Sequence, residues 1–159
     1  MTSPPDVEQD LGWALGTVLR SYLRLANEAV AGVPGGPRGY QVLSSAASGE
    51  RTSQLAMAQS LGVDRTVMTY LLDDLEKAGL VERKPDPADR RARRVLLTEA
   101  GTARLCAAER GLRKVEEHLL GPLDPDERHT LRTLLQRVAL ASGERHGTAC
   151  DVAQELEGC

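Results

Sequence analysis

Aromatic side chains are nearly missing from this chain: its 159 residues include no Phe, one Trp and three Tyr. A core built almost without rings must be filled by Leu, Val and Ala, and sequences rich in Ala and Leu favour helices over sheets. A mainly α fold is therefore expected. Cysteine is also scarce. Cys106, Cys150 and Cys159 are odd in number and have no paired spacing, which argues against a disulfide scaffold. No apolar run exceeds a few residues, and the opening MTSPPDVEQD has neither the basic nor the apolar part of a secretion signal, so a cytoplasmic location without membrane contact is expected. The marks of common enzymes are absent too. The stretch GVPGGPRG, Gly32 to Gly39, fits neither a phosphate loop nor the dinucleotide spacing, and no nucleophile with its base is legible. Neither an enzyme nor a cofactor is expected.

What is present has the balance of a folded protein, 41% apolar and 27% charged, at a length that suits one module with helical extensions. From Val7 to Val30 the positions Val7, Leu11, Ala14, Val18, Tyr22, Leu25 and Ala29 recur at steps of three and four, which predicts a long amphipathic helix. Gly32, Pro34, Gly35, Gly36 and Pro37 should break it, and a short helix is expected from about Tyr40 to Ala47. Thr52 can cap a helix over Ser53 to Ser60, and Asp64 one over Arg65 to Ala78, which Gly79 ends. Leu80 to Lys84 and Arg93 to Thr98 read as short strands. Thr98 then caps a helix from Glu99 to about Leu120 bearing Leu105, Ala108, Leu112, Val115 and Leu119. Asp124 caps a last helix bearing Leu131, Leu134, Leu135 and Val138, and residues 143–159 read as a flexible tail.

Two short helices around a Gly-containing turn are a helix-turn-helix, and a charged β-ribbon after them makes a winged helix. From Arg83 to Arg94, six positive side chains and two negative ones leave the ribbon at +4, inside a chain of net charge −3. Such a cationic finger on an acidic protein points to duplex DNA. On the helix from Arg65 to Ala78, Val67, Leu71, Leu72 and Leu75 are assigned to the core, leaving Arg65, Thr66, Thr69, Tyr70 and Asp73 outward. Arg65 can fork onto guanine, the Thr hydroxyls and methyls can meet bases, and the Tyr70 hydroxyl can meet a phosphate. Free amides at the helix starts near Thr52 and Asp64 suit phosphates as well, although the Asp64 carboxylate points the other way in charge, and Thr52 and Ser53 are candidate DNA contacts. In the wing, Asp89 can brace the Arg91 guanidinium for a narrow minor groove while Arg90, Arg93 and Arg94 meet phosphates. A plain solvated helix face and a ligand-free charged hairpin are the plainer alternatives.

The order long helix, helix-turn-helix, wing and two closing helices resembles the MarR family of bacterial transcription regulators. The residues that carry the resemblance are Leu61-Gly62-Val63, Leu75 to Val81 (LEKAGLV), Asp86 to Arg91 (DPADRR) and Leu97 to Gly101 (LTEAG), and it spans about Asp6 to Ser142. The resemblance implies a homodimer. Dimerisation helices would lie at 6–34 and 121–142, a winged helix-turn-helix at 38–98, and a connecting helix at 99–120. It also implies Arg91 in the minor groove with Asp89 paired to it. Tyr70 and Asp74 stand where many relatives carry basic residues, so the preferred DNA sequence cannot be copied from them.

Family members commonly respond to small phenolic or anionic molecules, so the resemblance implies a repressor that leaves an inverted-repeat operator when an effector binds. Trp13, Tyr22, Arg38 and Tyr40 are the residues suited to an aromatic or anionic effector, although the rings can equally fill a core short of Phe. Cys106 lies off its helix's apolar stripe among Thr102, Glu109 and Arg113, which leaves a redox-sensing regulator of the same fold as an alternative. His146 and Cys150 have i, i+4 spacing, but His118 and His129 do not cluster with them, and no metal site is expected. The alternative outside gene regulation is a winged helix used for protein assembly.

Overall fold

The computed structural model describes residues 10–48 and 53–142. In chain order the elements are α1 (Leu11–Val30), α2 (Gly36–Ala47), α3 (Gln54–Ser60), α4 (Arg65–Lys77), β1 (Val81–Pro85), β2 (Arg93–Leu97), α5 (Glu99–Leu119) and α6 (Pro125–Ala141). The fold is mainly α with one two-stranded antiparallel sheet, in which Val81 faces Leu97 and Pro85 faces Arg93. It is a winged helix-turn-helix with flanking helices, as the pattern predicted. Among the described residues no helix is long and apolar enough to cross a membrane.

The chain divides into two compact units, one of residues 27–112 and one of the two ends, up to Ala26 and from Arg113. The central, winged unit holds a core in which Leu43, Met57, Met68, Leu72 and Leu75 are fully buried. No ring sits at its centre; Tyr40 packs only at the edge. The expectation of a Leu, Val and Ala core therefore needs one addition, because two Met thioethers, flexible and polarisable, fill space that Phe would otherwise take.

Local chemistry sets most boundaries. The Asp10 carboxylate accepts from the amides of Gly12 (2.6 Å) and Trp13 (3.2 Å), so α1 opens at Leu11. Val7, where the stripe was expected to begin, lies outside the described residues. The second helix was placed too late: α2 starts at Gly36, not near Tyr40, because Pro37 occupies its first turn, where a missing N–H costs no helical bond. The cap of α3 is Ser53, whose hydroxyl accepts from Ala56 N at 3.1 Å, rather than Thr52, which lies outside the described residues.

At the other end of the module, α4 stops as predicted. Gly79 has φ +72°, and the amides of Gly79 and Leu80 reach back to the carbonyls of Glu76 and Leu75 at 2.9 and 3.0 Å. Thr98 then joins three segments at one point. Its hydroxyl donates to Gly79 O (2.5 Å) and accepts from Gly101 N (2.9 Å), and its own amide donates to Leu80 O (3.1 Å). Gly101 is required there, since a Cβ would lie 1.9 Å from Leu80 O.

In the terminal unit, α6 opens with a capping box between Asp124 and Glu127, both bonds 2.9 Å. Arg128 Nε donates to the carbonyls of Leu120 and Leu123, and Arg132 pairs with Glu116. The tail and its Cys150, Cys159 and His146 lie outside the described residues. Among the described residues no cluster of three or more His, Cys, Asp and Glu could hold a metal ion.

Candidate nucleic-acid interface

The Asp64 carboxylate opens α4 by accepting from Thr66 N at 2.7 Å. That bond, with weaker ones from neighbouring amides, holds its pKa below the ordinary carboxylate value. A fixed anion at this helix start offsets the positive end of the helix, which leaves attraction for phosphate there to arginine. Arg65 and Thr66 are exposed in the first turn and Tyr70 one turn on. Thr69 is placed differently from the expectation. Its hydroxyl donates to Arg65 O (2.9 Å) and accepts from Gln54 Nε2 (3.1 Å), so this half-buried group joins α3 to α4. Val67 needs a correction: it is 42% exposed, and Met68, at 0%, holds the core position assigned to it. The phase slips by one residue because both side chains are apolar and only packing separates them.

The wing tip is built from its own aspartates. The Asp86 carboxylate accepts from Ala88 N and the Asp89 carboxylate from Arg91 N, each at 2.9 Å, while Asp86 N donates to Ala92 O at 3.0 Å. Asp89 was expected to brace the Arg91 guanidinium. It bonds the Arg91 backbone amide instead, because a carboxylate two residues before an N–H closes a tight turn locally. Among the described residues, Arg90, Arg91, Arg93 and Arg94 are in no ion pair, whereas Lys84 meets Glu82 at 2.8 Å.

Arg83 was counted with the cationic finger but faces the other way. Its Nη2 lies 2.6 Å from Asp73 Oδ1 and 2.5 Å from Glu76 Oε2, its Nε also donates to Glu76, and its amide donates to Glu76 Oε1 at 3.1 Å. These hydrogen bonds lower the Glu76 pKa and raise that of Arg83. The wing root is thereby clamped to α4. Sequence reasoning missed the clamp, although Asp73 and Glu76 at i, i+3 give an acidic face that a strand cation can meet.

Between α3, α4 and the wing lies a cleft of about 430 Å³ bordered by Ser53, Gln54, Arg65, Asp89, Arg91 and Arg93. Five expected site residues, Ser53, Arg65, Asp89, Arg91 and Arg93, thus share one cleft. Thr66 and Tyr70 project from the exposed face of α4, and Arg90 sits exposed on the turn. Thr52 lies outside the described residues. The arrangement offers an exposed helix face beside guanidinium groups that are in no ion pair among the described residues, a geometry suited to base edges and phosphates together.

Residues 38–92 match the MarR family. The chain is 30% identical to a mutant form of MarR from E. coli, over 82% of this chain and 96% of that one, with a TM-score of 0.70. The chain belongs to the MarR family of transcriptional regulators. Its MarR fold is also similar to CouR, a transcriptional repressor in complex with a 23-mer DNA duplex, at 28% identity over 87% of this chain and 99% of that one, TM-score 0.66. CouR from Rhodococcus jostii RHA1 bound to p-coumaroyl-CoA is similar at 28% identity, covering 86% and 96%, TM-score 0.62.

The residues suited to an effector are divided between the two units of this MarR protein. In the terminal unit, Tyr22 borders an apolar cavity of about 510 Å³ with Leu15, Val18, Leu19, Leu119 and Leu135, and the Glu116 and Arg132 pair lies at its edge. Trp13 is in the same unit and exposed. Arg38 and Tyr40 lie on α2 in the winged unit, as does Cys106, a free and exposed thiol on α5.

Proposed function

We propose that this chain is a sequence-specific DNA-binding regulator that acts as a homodimer on an inverted-repeat operator, as a repressor released by a small-molecule effector. The observation that carries the reading is the cleft in which Arg65 of α4 converges with Arg91 and Arg93 of the wing, which are in no ion pair among the described residues. In this reading α4 enters the major groove with Arg65, Thr66 and Tyr70, Arg91 enters the minor groove, and Ser53, Arg90 and Arg93 meet phosphates. Asp89 fixes the backbone from which Arg91 projects. That the relative CouR is bound to a 23-mer DNA duplex supports the DNA-binding reading.

Residues 38–98 serve DNA reading, 99–120 connect, and the helices within 6–34 and 121–142 serve dimerisation. The exposed apolar side chains of α1 and α6 support a twofold partner. An aromatic or anionic effector fits the apolar cavity beside Tyr22, and the binding of p-coumaroyl-CoA by the relative CouR supports an effector of related chemistry.

The test combines sedimentation, footprinting and a salt titration. A dimer at micromolar concentration, protected half-sites about one helical turn apart, and log K falling with log salt by about 0.9 per phosphate contact are expected. A folded monomer without salt-dependent DNA binding would move the protein to an assembly role.

A further inference from the structure

We infer that Val67 is a specificity-determining residue that reads the C5-methyl group of thymine in the major groove. The inference rests on the DNA-binding reading above and names one base feature and one side chain within it. Val67 is 42% exposed in the first turn of α4, and it belongs neither to the core cluster of the winged unit nor to the partly buried residues packed against it. A single exposed apolar residue is ordinary on a protein surface. This one is less ordinary on two counts. It is β-branched, a poor choice for an exposed helix position. It also stands three residues before Tyr70, which is 67% exposed, so the two form a small apolar strip along α4.

The surroundings specify what such a strip can meet. Arg65 and Thr66, on the neighbouring surface of the same turn, are polar and exposed, and they can satisfy the donors and acceptors of base edges. A valine offers no hydrogen bond. Within the major groove, the one apolar group among the base edges is the thymine methyl, so a branched aliphatic side chain carried into the groove gains only by covering that methyl. Cytosine, which carries a hydrogen at the same carbon, gives no such gain. Each half-site of the operator should therefore contain a thymine whose methyl is required.

The experiment first selects a duplex bound by the full-length protein from a random pool, then replaces each thymine by deoxyuridine, which removes the methyl and keeps every hydrogen-bonding group. Burial of one methyl predicts about a three- to fivefold loss of affinity per half-site at one symmetric pair of positions and little loss elsewhere. Val67→Ser should bind the thymine and uracil duplexes equally while keeping the wild-type salt slope, and its melting temperature should be nearly unchanged because the side chain is exposed. Equal wild-type affinity for thymine and uracil at every position overturns the inference alone. So does discrimination that survives Val67→Ser and vanishes in Thr66→Ser. A protein that selects no duplex at all overturns both this inference and the DNA-binding reading.

Discussion

The two units of this protein treat their apolar residues in opposite ways. The winged unit closes on itself: Leu43, Met57, Met68, Leu72 and Leu75 have essentially no exposed surface. The terminal unit does not. Its helix α6 has no fully buried residue, and Leu134, Leu135, Val138 and Leu140 are all substantially exposed, Leu140 at 79%. Both units draw mainly on Leu, Val and Ala, so the bulk of their composition does not separate them. What differs is whether the periodic stripe has a second surface within the chain to press against. A sequence can show that a stripe exists without showing what covers it.

The largest expected effect tests the self-contained half. Leu75→Ala should cost about 2–5 kcal/mol by lost burial and an unfilled cavity, and the melting temperature should fall by the same amount at every protein concentration. Val138→Glu in the open half should behave otherwise, shifting sedimentation toward the monomer and weakening the concentration dependence of the melting temperature. If the two variants behaved alike, the contrast between the units would collapse.

A smaller effect concerns the clamp. Arg83→Ala should destabilise the winged unit by about 1–2 kcal/mol, discounted because both carboxylates remain more than a third exposed to water. The Glu76 pKa lies below its ordinary value near 4.5, so the stabilisation is present above that pH and is lost as the pH falls below it. Glu76→Gln should remove this part of the acid dependence, which a pH series of urea midpoints would read. An unchanged pH profile would show that the clamp carries no net stability. Asp124→Ala, which breaks the capping box of α6, should cost about 1 kcal/mol.

The smallest effect belongs to Cys106→Ser, which should change stability by less than about 0.5 kcal/mol because the thiol is exposed. If peroxide releases the wild type from DNA and this variant is not released, a redox-sensing regulator replaces the effector-released repressor proposed above.

Where local chemistry decides, the fold was legible. Asp64 and Asp124 cap their helices, Gly79 ends α4, Thr98 starts α5, and the strands pair where the charge and turn pattern placed them. Features that depend on packing or on a choice between equivalent partners were less so. The Gly and Pro residues before Tyr40 were read as breakers although Pro37 begins a helix, and Val67 and Met68 exchanged places between surface and core. In the candidate site, Arg65, Arg91 and Arg93 could be proposed from residue type and position. The Arg83 clamp and the Gln54 to Thr69 bond could not, because each joins residues seven or more positions apart whose meeting is set only once α3, α4 and β1 are packed.

The node at Thr98 has a mechanical consequence. With the end of α4, the root of the wing and the start of α5 held by hydrogen bonds at one place, and Arg83 clamped to α4 two residues further out, the ribbon moves as one piece with α4. Five residues of strand make an arm of about 17 Å, so a rotation of about 5° at the base displaces the tip by about 1.5 Å. The wing thus magnifies small tilts of α4 into shifts comparable to half a hydrogen-bond length.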